Sequence, residues 1–510
     1  MKFAAIASGV ALALSALSGL SHSQTYDLVQ AYRDSLANDA QLLSARSALE
    51  AAKERVPQAA AGLKPNVALT GSTGYQYFQN NPNTGTSFSR SFAPTTLGVN
   101  LSYPLFRLQN VEALEQSKIQ QSVSEAQLAQ VQVDLILRVA QAYFDVLAAQ
   151  DSLGTVRAQK RAVAEQLASA KRNFEVGTAT ITDQQEAQAK FDLVVAQEFA
   201  GDSDLEVKYA ALSILTGKPI NRNKVLRPGV ALQAPQPPRE IEWVDSARAN
   251  NYQVQQAALA AEVARREINK QRYGDYPTLD VVGGITHSRN PVTLVAGGGG
   301  NTNSANVGLQ LNVPLYTGGA ATARVREAAA NLEKSKADLE VARRQVEQAT
   351  RVSYVGVNSG LAQVRALEAA ERSSQLALDS NQLGYQVGVR INVDVLNAQQ
   401  QLFTTRRDLS KARYDTILAG LKLKASAGSL KEEDIEMING LLSEPVVVPE
   451  PAAPAALSNA PASSGATAPA KPTTTSPGPS ASDTKPAMKA PAASEQRGGR
   501  SRKPMAPKDR

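Results

Sequence analysis

The sequence predicts an α+β membrane protein built from two copies of one unit, in which pairs of membrane-length β-strands feed helices too long for a compact domain. Three observations predict it. Segments recur in the same order: residues 97–106 (LGVNLSYPLF) answer 307–316 (VGLQLNVPLY), and 174–183 (FEVGTATITD) answer 385–394 (YQVGVRINVD). Asn38 answers Asn250 and Pro65 answers Pro277, so the offset drifts only from 212 to 210 to 211 residues along the chain. Such self-similarity decides the fold before any local pattern does. The second observation is period-two alternation in the strand pairs, and the third is a heptad pattern sustained through each long helix.

Residues 1–23 read as a cleaved secretory signal. Lys2 gives the positive start, residues 3–20 are apolar and almost uncharged, and small residues precede the break after Ser23. The first repeat, 24–217, opens with a helix over 26–62, rich in Ala, Leu, Arg and Glu. From Asn66 the period becomes two: Val67, Leu69, Tyr75 and Tyr77 share one face, and Thr70, Ser72, Gly74 and Gln76 the other. A polar loop over 80–91 leads to a return strand with Leu97, Val99, Leu101 and Tyr103 opposite Gly98, Asn100 and Ser102. Strands of about ten residues suit a tilted crossing of a bilayer. Thr70, Ser72, Asn100, Ser102, Gln310 and Asn312 are polar, as a water-filled barrel interior requires. Four strands cannot close a barrel and lipid does not tolerate open edges, so the barrel must be shared with further copies of the chain.

A helical pattern runs from Leu108 to Phe174 without proline, about 100 Å of helix. Leu128, Leu135, Ala142, Ala149, Val156, Val163 and Ala170 fall at steps of seven, and Val139, Val146, Leu153, Leu167 and Phe174 form a second track. Steps of seven indicate coiled-coil packing. The pattern stops at Gly177, where a left-handed cap is expected, and Thr180 and Asp183 have capping-box spacing for the next helix. That returning helix ends near Gly217 and covers half the arm, which leaves the helix ahead of the strands to cover the rest.

Residues 218–240 form a Pro-rich inter-repeat segment. The second repeat, 241–428, has strand positions Leu279, Val281 and Ile285, a loop at 297–300, strand positions Val307, Leu309, Leu311 and Val313, an arm after Pro314 and a tip at Gly388. A short helix is expected in 429–443. Residues 444–510 are a basic Pro/Ala/Ser-rich tail with too few aliphatics to fold.

Several function classes are excluded. The chain has no cysteine, and of its two histidines only His287 survives signal removal, so neither thiol chemistry nor a metal cluster is available. The glycines at 297–300 join two strands and open no helix, so they cradle no phosphate and no cofactor is expected. The charge of +7 shrinks to about +2 on the body once Lys2 and the tail (nine basic, five acidic residues) are set aside, and no aromatic-basic platform for nucleic acid is present.

With the duplication, strand pairs and tips in hand, residues 26–442 resemble the TolC family of outer-membrane channel-tunnels. The most specific stretches are 140–147 (AQAYFDVL), 176–183 (VGTATITD), 385–396 (YQVGVRINVDVL), and Arg413-Tyr414 ahead of an apolar helix ending at Gly428. The resemblance implies a homotrimer, with a shared twelve-stranded barrel in outer-membrane lipid continued by a periplasmic α-helical coiled-coil tunnel. Residues 218–240 and the short helix in 429–443 would belt its middle. It implies a passive exit duct for type I protein secretion or for small-molecule efflux. Its partners would be a periplasmic adaptor and an inner-membrane pump of ABC or RND type. The lack of an N-terminal cysteine to lipidate leans toward the secretion-type or multipurpose branch.

The resemblance also assigns a periplasmic gate. Tyr385 and Arg390 match residues that tie the inner hairpin to its neighbours, and Asp183 matches their carboxylate partner. Asp394 matches a constriction ring; the family places a second carboxylate where this chain has Asn397, which halves the ring charge and argues against strong divalent-cation binding. Val176, Gly177, Thr178, Val387, Gly388 and Val389 would be the adaptor-docking tips. Spacing alone gives the two aspartates a simpler task, capping or complementing a helix N-terminus, and both tasks are compatible. The alternative, a periplasmic adaptor with long hairpins, would lack membrane-length strands and the duplication. An exported enzyme would need a catalytic set that this chain does not offer.

Overall fold

The computed structural model describes residues 25–81, 83–84, 87–220, 222–290 and 300–444. The signal peptide, the loop glycines ahead of Gly300 and the tail beyond Glu444 lie outside them. The first repeat contains α1 (Leu28–Asn38), α2 (Ala40–Ala61), β1 (Asn66–Thr73), β2 (Gln76–Asn80), β3 (Phe88–Phe92), β4 (Thr95–Phe106), α3 (Leu108–Glu175) and α4 (Ile181–Thr216). After β5 (Val225–Leu226), the second contains α5 (Glu240–Asn250), α6 (Tyr252–Arg272), β6 (Thr278–Asn290), β7 (Gly300–Asn312), α7 (Ala320–Gln386) and α8 (Asn392–Ser426). The helix α9 (Glu432–Asn439) and β8 (Leu442–Ser443) follow.

The four long strands form one antiparallel sheet in the order β1-β4-β6-β7. Its register aligns like with like. Val67, Leu101, Gly283 and Val307 form one cross-strand row, and Leu69, Val99, Ile285 and Ala305 another. Thr70, Gly98, Thr286 and Ser304 form a row on the opposite face. Because side chains alternate along a strand, one face of the sheet is apolar and the other polar across all four strands. Expectation and structure part at Gly74. Tyr75 and Tyr77 do not extend β1; the strand ends at Thr73, and β2 pairs only with β3 in a separate ribbon. Pro94 causes the break, since it has no N–H for the ladder, and its carbonyl accepts from Gly74 N instead. No helix among the described residues is long and apolar enough to cross a membrane.

The long helices α3 and α7 run for 68 and 67 residues. The second starts only at Ala320, because Gly318 and Gly319 take left-handed backbone after the strand. Both heptad tracks of α3 face neighbours: Leu135, Ala149, Val163 and Ala170 are buried on one, Val139, Val146, Leu153 and Leu167 on the other, and only Phe174 at the tip is exposed. Toward the tips the helices lie side by side as α4-α3-α8-α7, and toward the sheet as α2-α3-α6-α7.

The expected single helix over 26–62 is two. Asp39 leaves helical backbone (φ −65°, ψ 116°) to cap α2, accepting from Leu42 N at 2.7 Å, and its carboxylate also pairs with Arg138 at 3.0 Å. The break lets α2 continue α4 end to end: Asn38 Nδ2 donates to the last carbonyls of α4, Ile214 (3.1 Å) and Leu215 (3.3 Å). The second repeat uses the same joint. Asn251 caps α6 through Gln253 N at 2.8 Å and donates to Ser426 O at the end of α8, 2.9 Å away.

The largest apolar cluster sits at these joints. Leu28 and Tyr32 of α1, Leu135–Leu147 positions of α3, Leu418 and Leu421 of α8 and Ile435 of α9 meet there. The Pro-rich segment and the stretch after α9 are stitched together by β5 and β8, with Val225 opposite Ser443. Tyr143, fully buried, shares its hydroxyl hydrogen between the carbonyls of Tyr26 (3.1 Å) and Lys224 (2.9 Å). Tyr143→Phe is expected to cost about 1–3 kcal/mol per protomer, the penalty of stranding buried carbonyls. Thermal unfolding followed by circular dichroism checks it, and an unchanged midpoint would mean that water replaces the hydroxyl.

Candidate site at the hairpin tips

Both tips are closed by the same backbone device. At the end of α3, Thr178 N donates to Asn173 O (2.8 Å) and Gly177 N to Phe174 O (3.0 Å); at the end of α7, Val389 N donates to Gly384 O (2.9 Å) and Gly388 N to Tyr385 O (3.1 Å). This pair of bonds needs a left-handed residue, and Gly177 and Gly388 supply it at φ +78° and +79°. The next helix is capped on one side only. Thr180 Oγ1 accepts from Asp183 N (3.2 Å) and Asp183 Oδ2 accepts from Thr180 N (2.9 Å), whereas α8 begins at Ile391 without a side-chain cap.

Asn392, the first residue of α8, replaces the cap with a tie between hairpins. It is buried, its Nδ2 donates to Asp183 O at 3.3 Å, and its Oδ1 accepts from Gln166 Nε2 of α3. Asn173 Nδ2 donates to the Tyr385 hydroxyl at 3.1 Å, which ties α3 to α7. Arg390 lies across α7 where residue 384 has no side chain: a Cβ on Gly384 would come within 2.7 Å of Arg390 Cγ. From there Arg390 Nη1 reaches Asp394 Oδ2 at 3.6 Å.

Within one protomer, then, the expected gate residues fall into separate contacts. Asp183 is held by Thr180, Tyr385 by Asn173, and Arg390, in the turn, by Asp394 four residues on in the first turn of α8. Asn397 is exposed one turn beyond, and Val176, Val387 and Val389 project into solvent at the tips. Sequence reasoning missed Gln166, Asn173 and Asn392, whose neutral amides carry no charge pattern. Gly384, the last of three glycines inside α7, was the nearest visible signal. Between the hairpins the tip contacts are neutral amide and hydroxyl hydrogen bonds, and the Arg390–Asp394 ion pair is half-exposed and worth about 0–1 kcal/mol. Such a cluster opens and closes cheaply.

A membrane-length sheet that is polar on one face, continued by helical arms with weakly tied tips, defines an outer-membrane duct with a periplasmic tunnel. Comparison places it further. The chain belongs to the Outer membrane efflux protein family, whose profile matches residues 31–218 and 243–429. It is similar to outer membrane protein TolC of Vibrio cholerae, 34% identical over 414 residues, covering 81% of this chain and 93% of that one. It is similar, too, to the alkaline protease secretion protein AprF of Pseudomonas aeruginosa, 30% identical over 427 residues, covering 81% and 86%. In fold it resembles the solved outer membrane protein VceC of Vibrio cholerae, with a TM-score of 0.66 at 18% identity, covering 79% of this chain and 96% of that one.

Proposed function

We propose that three copies of this chain close a twelve-stranded barrel and a helical tunnel, and that the assembly is a passive exit duct for protein secretion or small-molecule efflux. The observation that carries this reading is that the sheet and the helical layer of residues 25–444 are open at both edges. Among the described residues β1 and β7 each lack a partner on one side, and the outer helices α4 and α7 bound the layer. Both flanks carry exposed apolar residues in heptad register: Leu193, Val207 and Ile214 on α4, and Val341, Val355, Leu376 and Leu383 on α7. A second copy would cover a flank and pair a strand edge in one movement. The match of one family profile to two successive stretches supports an internal duplication. The likeness to the protease secretion protein AprF supports secretion as one cargo route.

In this reading the tips form the periplasmic gate. Tyr385 and Arg390 exchange their local contacts for those of a neighbouring copy, with Asp183 as a carboxylate partner, and Asp394 rings the constriction with the uncharged Asn397 beside it. A periplasmic adaptor, docked on Val176, Gly177, Thr178, Val387, Gly388 and Val389, and an inner-membrane pump would offset the few kcal/mol that hold three such latches.

The test is single-channel conductance in planar bilayers, of the mature protein beside Arg390→Ser. The expected result is a low conductance that rises several-fold in the variant. A high conductance, equal in both, would keep the duct and remove Arg390 from the gate. Folded protein that conducts nothing would favour the adaptor.

A further inference from the structure

The two hairpins are not joined evenly along their length. From the joints down to Leu147 on α3 and Tyr414 on α8, both hairpins belong to one apolar cluster. Below that level each keeps its own seam: Leu409 and Ala412 pack on Val364, and Val395 and Leu402 on Leu378, all within α7 and α8. The first hairpin's cluster around Val163 and Val194 is met from the second hairpin by Leu396 alone among the described residues. Between the hairpins lies a cleft of about 240 Å³ whose lining mixes apolar side chains (Val163, Val194, Leu396, Phe403) with polar ones (Gln159, Gln400). Because the hairpins stand apart across this cleft, less apolar contact is lost when they part there than in the continuous cluster above.

At the boundary Tyr414 donates its hydroxyl to Asp151 Oδ2 at 2.6 Å, and its ring packs on Phe144 with centroids 5.7 Å apart. Tyr414 is buried. Burial pushes the Asp151 carboxyl up, against the hydrogen bonds from Tyr414 and Ser410 and the charge of Arg413. Arg413 is itself paired with Glu368 of α7 at 2.9 Å. We propose that Asp151 and Tyr414 are positioning residues for opening: their hydrogen bond is the fulcrum on which α8 swings from α3, the hairpins parting below it and staying joined above. The inference rests on the gated-duct reading for its purpose and on the packing alone for its mechanics. Without the hydroxyl, the carboxylate is left buried and under-solvated, and the hydration it lacks is available on the cleft side.

The test is peptide-resolved hydrogen exchange on the assembled protein in detergent, for wild type, Tyr414→Phe and Asp151→Asn. Residues 392–409 should exchange on the order of ten-fold faster in Tyr414→Phe, the loss of one charge-assisted bond, with residues 415–426 unchanged. Asp151→Asn keeps a neutral acceptor for Tyr414 and should exchange at a rate between wild type and Tyr414→Phe. Equal acceleration of both segments, no acceleration of 392–409, or Asp151→Asn as fast as Tyr414→Phe would each overturn the fulcrum. If Tyr414→Phe does not assemble, Asp151→Leu removes the acceptor instead and is read on the same peptides with the same expectation. Conductance of Tyr414→Phe separates the two ideas: faster exchange with unaltered conductance keeps the fulcrum and sinks the gate.

Discussion

Gly428→Ala is expected to cost about 3–5 kcal/mol per protomer and to leave little assembled protein, while Gly217→Ala at the equivalent joint costs about 2 kcal/mol. Both glycines hold left-handed backbone, φ +68° and +71°, which alone penalises an L side chain by about 1–2 kcal/mol. What differs is the neighbour. A Cβ on Gly428 would lie 2.5 Å from Asn250 O and 2.6 Å from its carbonyl carbon, backbone atoms fixed between α5 and α6. A Cβ on Gly217 would lie 2.6 Å from Asn38 Cγ, a side chain that can turn away. Turning releases the bonds from Asn38 to Ile214 and Leu215, and little else. The first variant must therefore shift a helix joint where the second loses a cap. Thermal midpoints and yields of the paired variants decide this, and Gly428→Ala no worse than Gly217→Ala would mean that the joint is soft.

Those joints also show how far the sequence could be read. Gly177 and Gly388 were legible because each interrupts a long periodic helix, which only a cap explains. The strand faces were legible because alternation at Val67, Leu101 and Val307 repeats across both halves. Asp39 was not. An Asn-Asp pair ends α1 by capping α2, and the Ala, Leu, Arg and Glu composition of 26–62 runs through it unmarked. Gly74 was missed because the alternation runs through it to Tyr77, and the ladder stops for a reason on the other strand, Pro94. At the tip, the family resemblance pointed to Asp183 as the carboxylate partner of Tyr385 and Arg390. Within one protomer Asp183 accepts from Thr180, and Arg390 meets Asp394, four residues on in the first turn of α8. Contacts made by neutral amides such as Asn392 leave no mark in composition or period.

The flanks make the second large prediction. Val207→Glu should abolish assembly and leave a helical monomer, seen as a single protomer by native mass spectrometry with its helical circular dichroism kept. Val207 is 64% exposed in the protomer, with Ile214 at 77% one heptad on. An apolar side chain of this size gains roughly 1.5–3 kcal/mol when a neighbour covers it. A glutamate there gains nothing and must shed water without a partner, a cost of several kcal/mol in each of the copies. The two positions beside it are charged already. Glu206 is exposed, and Lys208 pairs with Asp145 of α3 at 3.8 Å, so charge on α4 is not itself disruptive. The side on which the charge sits is what matters. Val207→Leu keeps the apolar surface and should assemble. If Val207→Glu assembled as well as Val207→Leu, the α4 stripe would have to face water in the finished duct, and the apolar stripes on the outer helices would no longer argue that neighbouring copies meet there.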